Sequence, residues 1–351
     1  MAVPSAPTRG RRLLSALIGL AGVALAAALY TQLGGFVTGL APGALLIVVA
    51  LPVFVGGGVL LARLGLIPRP AGYPLTLLGP SLAYYAAFFL VPLGFLVAFS
   101  VATPLGYGDV SYGFDTQNFS QAFDPVYIKV FTRTLRFAAI GTLLVILVGF
   151  PMAYWLARYA PANRKNLLLG LLIVPFWTSF LIRTYSFLIV LDPHFVLSKG
   201  LQDVGLIDKP LHILYTNTSV QIGIVYNYLP LFVLPVYASL DRLDWKLLDA
   251  ANDLGSNAFA ALRRVTLPLA VPGLATGTLL VFIPMMGEYV IPQILGGGKV
   301  DLMGNIIQRA FLEQQNYPLG AAIAMVLMAA LSLFLILYIW LSTRATEIRD
   351  A

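Results

Sequence analysis

The chain is 351 residues long, 59% hydrophobic and only 11% charged, with a formal net charge of +7 and no cysteine. A soluble domain carries about 25% charged residues, so most of this chain has no water to face, and the missing cysteine excludes disulfides and thiolate metal sites. The positive charge by itself excludes little; its placement along the chain reads as membrane topology rather than as nucleic-acid binding.

A bilayer-spanning helix needs about 20 apolar residues. Eight stretches meet that need, at about 13–31, 41–62, 76–100, 134–157, 167–190, 217–240, 270–292 and 320–342. None alternates with a period of two, so the pattern is that of helices and not of a barrel. The first stretch follows Arg11–Arg12 and is rich in alanine, which leaves two readings. Its length favours an uncleaved span, and the alternative is a signal peptide. Pro92, Pro151, Pro175, Pro230, Pro235 and Pro284 fall inside later spans and predict kinked helices lining a path. The two histidines, His194 and His212, lie far apart among polar loop residues, without metal-ligand spacing, and predict ordinary loop roles.

Lysine and arginine in the short loops set the orientation. Arg9, Arg11, Arg12, Arg63, Arg69, Arg158, Arg164, Lys165, Arg242, Lys246, Arg263, Arg264, Arg344 and Arg349 all fall on one side. The alternate loops hold Lys129, Lys199, Lys209, Lys299 and Arg309, with Arg133 and Arg136 opening the fourth span at that face. Both termini are therefore expected in the cytoplasm, with loops at about 101–133, 191–216 and 293–319 facing outward.

The longest cytoplasmic loop, 241–269, reads DRLDWKLLDAANDLGSNAFAALRRVTLPL. Arg242, Lys246, Asp249 and Asp253 fall on one helical face, and Leu243, Leu247, Ala250 (or Ala251) and Leu254 on another. Gly255 is placed to stop this helix and Ser256 or Asn257 to cap a second one, with Pro268 marking the start of the next span. Asp249 and Asp253 are a like-charge pair four apart, which weakens an isolated helix and which a basic partner would relieve. Ala250 and Ala251 leave room for close approach. A helix lying on lipid would instead be rich in Lys and Arg on its polar face, so a protein partner is the expectation.

Asp249-Ala250-Ala251, then Gly255, then Leu267-Pro268, with Val265 at the β-branched position, resembles the "EAA" loop of ABC importer permeases. Asp249 stands where glutamate is usual. The resemblance continues through VPFWTSFLIRTYSF (174–187), VYNYLPLFVLPVYASLDRLD (225–244), LLVFIPMMGEYVIPQILGGG (279–298) and GNIIQRAF (304–311), which are similar to the first permease of spermidine/putrescine-type importers. Asp192-Pro193-His194 departs from the family's usual Gly-Arg-Asn run in an outer loop.

The resemblance implies an all-α membrane protein, a polytopic helix bundle with a type I ABC importer (MetI-like) six-helix permease core at 75–342. An extension at 1–65 adds two N-terminal transmembrane helices, and 343–351 forms a cytoplasmic tail. It implies residence in a bacterial inner membrane and, as partners, a second homologous permease, two cytoplasmic ATP-binding subunits and an extracytoplasmic solute-binding protein. Asp249, Ala250, Ala251, Asp253, Gly255, Leu267 and Pro268 would form the surface that docks the ATPase. The chain has no phosphate loop, so ATP and Mg belong to the partner and no cofactor is expected on this chain.

Glu288 and Arg183 are the notable charges inside spans, and such groups are functional candidates. Counted at 1.5 Å per residue, both lie roughly 24–27 Å across the membrane, near enough to meet. Two readings stay open. Glu288 attracts a cationic solute, helped by Trp177, Tyr185, Tyr226, Tyr228 and Tyr289, or it pairs with Arg183 while the aromatics pack. Beyond a polyamine, the cargo could be an opine or an amino-acid-like amine. An ion-coupled secondary transporter is the alternative class, but it leaves the loop unexplained.

Overall fold

The computed structural model describes residues 84–106 and 108–350, with side chains described as far as residue 340. The first two expected spans, the 1–65 extension and the start of the third span lie outside the described residues. The chain divides into two compact units, Met1–Ala98 and Phe99–Ala351.

The described residues open with helix α1 (Ala86–Ser100), whose first turn, Ala86–Leu90, is π-helical. The wide turn ends two residues before Pro92, and the Val91 amide donates to Ala86 O. A proline ring clashes with the carbonyl four residues back, and widening the helix there removes the clash.

The second unit begins with a hairpin, β1 (Thr103–Gly106) and β2 (Asp109–Ser111), and a short helix α2 (Gln117–Ala122). Then follow α3 (Pro125–Arg158), α4 (Lys165–Trp177), α5 (Phe180–Val190), α6 (Val196–Asp203) and α7 (Asn217–Leu240). The chain continues through α8 (Lys246–Asp253), α9 (Ala258–Met286), α10 (Val290–Gly296), α11 (Met303–Leu312) and α12 (Tyr317–Asp350). Among the described residues α3, α7, α9 and α12 are each long and apolar enough to cross a membrane.

The core lies where α7 packs between α3 and α9. Phe232 of α7 is fully buried, and glycines on both neighbours make room for it. A Cβ on Gly149 of α3 would stand 2.6 Å from Phe232 Cδ1, and one on Gly277 of α9 would stand 2.9 Å from Cδ2. Lower on the same seam, a Cβ on Gly273 would strike Ser239 and stand 2.8 Å from the Pro235 carbonyl. Helices in lipid gain little from apolar burial between themselves, so close backbone approach at small residues supplies their packing.

Three expectations change. The fifth stretch, 167–190, is not one span: α4 and α5 meet at 91° across Thr178–Ser179. Both residues are extended there, and the Thr178 hydroxyl donates to the Pro175 carbonyl at 2.6 Å, closing off α4. The seventh stretch ends at Met286, so Gly287 and Glu288 form a break before α10 instead of helix interior. Pro268 does not open the seventh helix, which runs unbroken from Ala258; a second π-helical turn, Leu262–Thr266, ends two residues before it, as in α1.

Candidate functional site

The loop between α7 and α9 is built by local capping. The helix α8 ends at Asp253, and Gly255 turns the chain at φ +86, a conformation natural to glycine. Asn257 then caps the next helix, its Oδ1 accepting the Ala260 amide at 2.7 Å. The expected helix, glycine stop and asparagine cap are all present. The expected apolar face is not. Leu248 is the buried residue of α8, with Leu243 and Trp245 packed on the core, whereas Leu247 is exposed and Leu254 is 89% exposed. Phe259, 71% exposed, joins them on the outer surface of the loop.

Two ion pairs anchor this loop to the ends of α3 and α4. Lys165 Nζ lies 2.9 Å from Asp241 Oδ1 and also donates to the Ala157 carbonyl at 2.9 Å. Arg158 reaches Asp249 at 3.5 Å while its guanidinium sits 5.2 Å from the Trp245 ring centroid and 5.6 Å from that of Tyr159. The Asp249–Asp253 repulsion is therefore relieved partly within the chain. Asp249 and Ala250 stay exposed, Ala251 is half-buried, and Leu267 and Pro268 are half-buried on the helix behind. Sequence reading missed Arg158 and Trp245, whose signal is only the aromatic-rich end of α3.

Glu288, 7% exposed, is held from two sides. Its Oε2 accepts a 2.6 Å hydrogen bond from the Tyr228 hydroxyl of α7. Its Oε1 accepts from the amides of Val290 at 2.9 Å and Ile291 at 3.2 Å, the first turn of α10. The turn itself is clamped by α11: a Cβ on Gly304 would stand 2.5 Å from Gly287 O, and Asn305 Nδ2 donates to Tyr289 O at 2.9 Å. Thr134 of α3 accepts the Met303 amide at 2.9 Å and completes the brace.

Arg183 does not meet Glu288, and among the described residues no ion pair joins them. The bend between α4 and α5 invalidates a depth counted along one straight helix. Arg183 is 8% exposed, 5.2 Å from the Phe176 ring centroid, and its Nε and Nη1 are buried without hydrogen-bond partners. It borders a cavity of about 240 Å³ walled mainly by apolar residues, Leu172, Pro175, Leu229 and Pro230 among them, with Tyr226 also at its edge. Trp177 is 85% exposed beside the bend, Tyr185, Tyr226 and Tyr289 are exposed, and only Tyr228 of the expected aromatic set is buried. Tyr226 makes an edge contact with Phe187, 5.1 Å between centroids. His194 lies in an exposed loop, its Nδ1 3.5 Å from Asp192. Among the described residues no group of histidine, aspartate or glutamate is placed to hold a metal.

Residues 146–347 match the family of binding-protein-dependent transport system inner membrane components. The chain belongs to this family. The spermidine/putrescine transport system permease protein PotB of Haemophilus influenzae is 38% identical over 251 residues, 72% of this chain and 87% of that protein. The protein of the same name from Escherichia coli is 40% identical over 231 residues, covering 66% of this chain and 83% of its own length. A bacterial alginate ABC transporter, solved with an alginate-bound periplasmic protein, has a chain that superimposes with TM-score 0.65 at 15% identity, covering 81% of this chain and 98% of that one. At that identity the likeness shows the fold.

This permease is thus an inner-membrane transport subunit of an ABC importer and not an enzyme. The family match begins inside α3 and takes in the bent pair, the capped loop and the Glu288 turn.

Proposed function

We propose that the permease forms half of the path of a polyamine importer of the spermidine/putrescine class. The shared sequence with two permeases named for that transport, over most of their length, carries this reading. A second homologous permease completes the path, an extracytoplasmic binding protein delivers the solute, and two cytoplasmic subunits hold ATP and Mg. Asp241–Pro268 docks the ATPase, with both termini on the cytoplasmic side. The positive-inside pattern and the exposed Leu254 and Phe259 support that assignment. The permease domain spans 75–342, with 1–65 an added pair of spans. Exposed Trp177, Tyr185, Tyr226 and Tyr289 offer ring faces to a cation.

A second reading has one specific observation behind it. The unpartnered Arg183 suits a solute carrying a carboxylate, such as an opine or an amino-acid-like amine. Reconstituted complex with its binding protein decides between them. Spermidine or putrescine uptake with matching ATPase stimulation is the expected result. Stimulation by an amino-acid-like amine and not by polyamines overturns it.

A further inference from the structure

We infer that a hollow between α3 and α7, near Lys299, is a binding site for the headgroup of an anionic phospholipid. The hollow has a volume of about 560 Å³. Arg133 and Arg136 of α3 and Lys299, beyond α10, line it together with Asn217 and Thr218 at the start of α7. Among the described residues no acidic one lines it.

The three cations differ from the basic residues that form ion pairs with acids. Arg158, Lys165 and Arg309 each face an aspartate within 3.5 Å. Arg133, Arg136 and Lys299 take part in none of the ion pairs or side-chain hydrogen bonds found among the described residues. The acid nearest Lys299 in sequence, Asp301, is engaged by Arg309 at 2.7 Å. Three like charges around one hollow repel each other, and an anion between them removes that repulsion.

The shape selects the class of anion. Arg136, Ile140 and Leu144 follow at four-residue spacing on one stripe of α3, and both apolar residues line the same hollow. Arg136 and Leu144 are about 12 Å apart along the axis at 1.5 Å per residue. Cations therefore stand at the rim, and an apolar groove descends from them along a membrane-crossing helix. A phosphate headgroup with its acyl chains fits both parts at once, as basic pockets between transmembrane helices do elsewhere. An acidic loop of another protein would satisfy the rim and leave the groove uncovered.

The test uses the whole transporter in nanodiscs holding phosphatidylglycerol and phosphatidylcholine, with retained lipid read by native mass spectrometry through graded delipidation. Phosphatidylglycerol should be retained in preference. At about 1 kcal/mol per basic residue, Arg133→Gln/Arg136→Gln/Lys299→Gln together should weaken that preference on the order of 100-fold. Binding-protein affinity should stay the same. Lys299→Gln alone lies outside the helices and carries the test if the triple variant fails to assemble, with a loss of about fivefold. Preference undiminished in both variants overturns the proposal. So does unchanged lipid retention with weakened binding-protein affinity, which would assign the hollow to an acidic protein surface.

Discussion

The Tyr228 hydroxyl donates a 2.6 Å hydrogen bond to Glu288, sixty positions along the chain, and so ties α7 to the turn that opens α10. With the amides of Val290 and Ile291 on the other oxygen, the carboxylate has three donors. That satisfies a group whose burial is otherwise expensive. Tyr228→Phe removes one donor and should destabilise by about 1–3 kcal/mol, seen as a fall of several degrees in the thermal midpoint of the solubilised complex. Glu288→Gln should act in the same direction, with transport per assembled complex retained. An unchanged midpoint together with lost transport would place Glu288 in the path instead.

Phe232 between Gly149 and Gly277 yields a second prediction. Gly149→Ala drives a methyl into the ring and should cost about 1–3 kcal/mol. Phe232→Ala opens a cavity and should cost about 3–5 kcal/mol. Because that cavity can accept the methyl, the double variant should lose less than the sum. Strict additivity in the unfolding midpoints would show that the two sites do not touch.

For the loop, the structure shifts weight from the charge to the apolar tip. Asp249 already faces Arg158, and an exposed pair of this kind contributes about 0–1 kcal/mol. Asp249→Asn should leave both the fold and co-purification of the ATP-binding subunits nearly intact. Leu254→Asp or Phe259→Asp should abolish co-purification while membrane insertion is unaffected. If the order is reversed, the acidic residue is the docking contact.

Gly255→Val forces a branched side chain into φ +86, at a cost of about 1–2 kcal/mol. Space does not oppose it, since no atom lies within 4 Å of an added Cβ. The loss should appear as reduced ATPase coupling, not as misassembly of the α3–α7–α9 core, and Gly255→Asn should restore part of it.

Arg183 carries a buried guanidinium with two unpartnered nitrogens. Arg183→Met keeps the length and removes the uncompensated charge, so the midpoint should rise. A fall would show that the assembled transporter supplies an anionic partner.

How far the sequence reaches differs by feature. The caps of the 241–269 loop were legible because caps are local: a glycine with positive φ and an asparagine accepting an amide three residues on need only their neighbours. The 91° bend was not. Residues 167–190 read as one predominantly apolar stretch, and Pro175 predicted a kink, while Thr178 and Ser179 decided a break. The pairing of Glu288 was also out of reach, because depth counted along separate helices ignores where each one breaks.

By itself the sequence determined the apolar stretches, their basic flanks and the helix–glycine–helix loop, since hydropathy and capping act over one or two turns. The tertiary structure alone decided that Tyr228 and not Arg183 holds Glu288, that Arg158 takes Asp249, and that Arg133, Arg136 and Lys299 share one hollow. Those contacts join distant segments, and their geometry follows from how closely α3, α7 and α9 approach at their glycines, which no local pattern encodes.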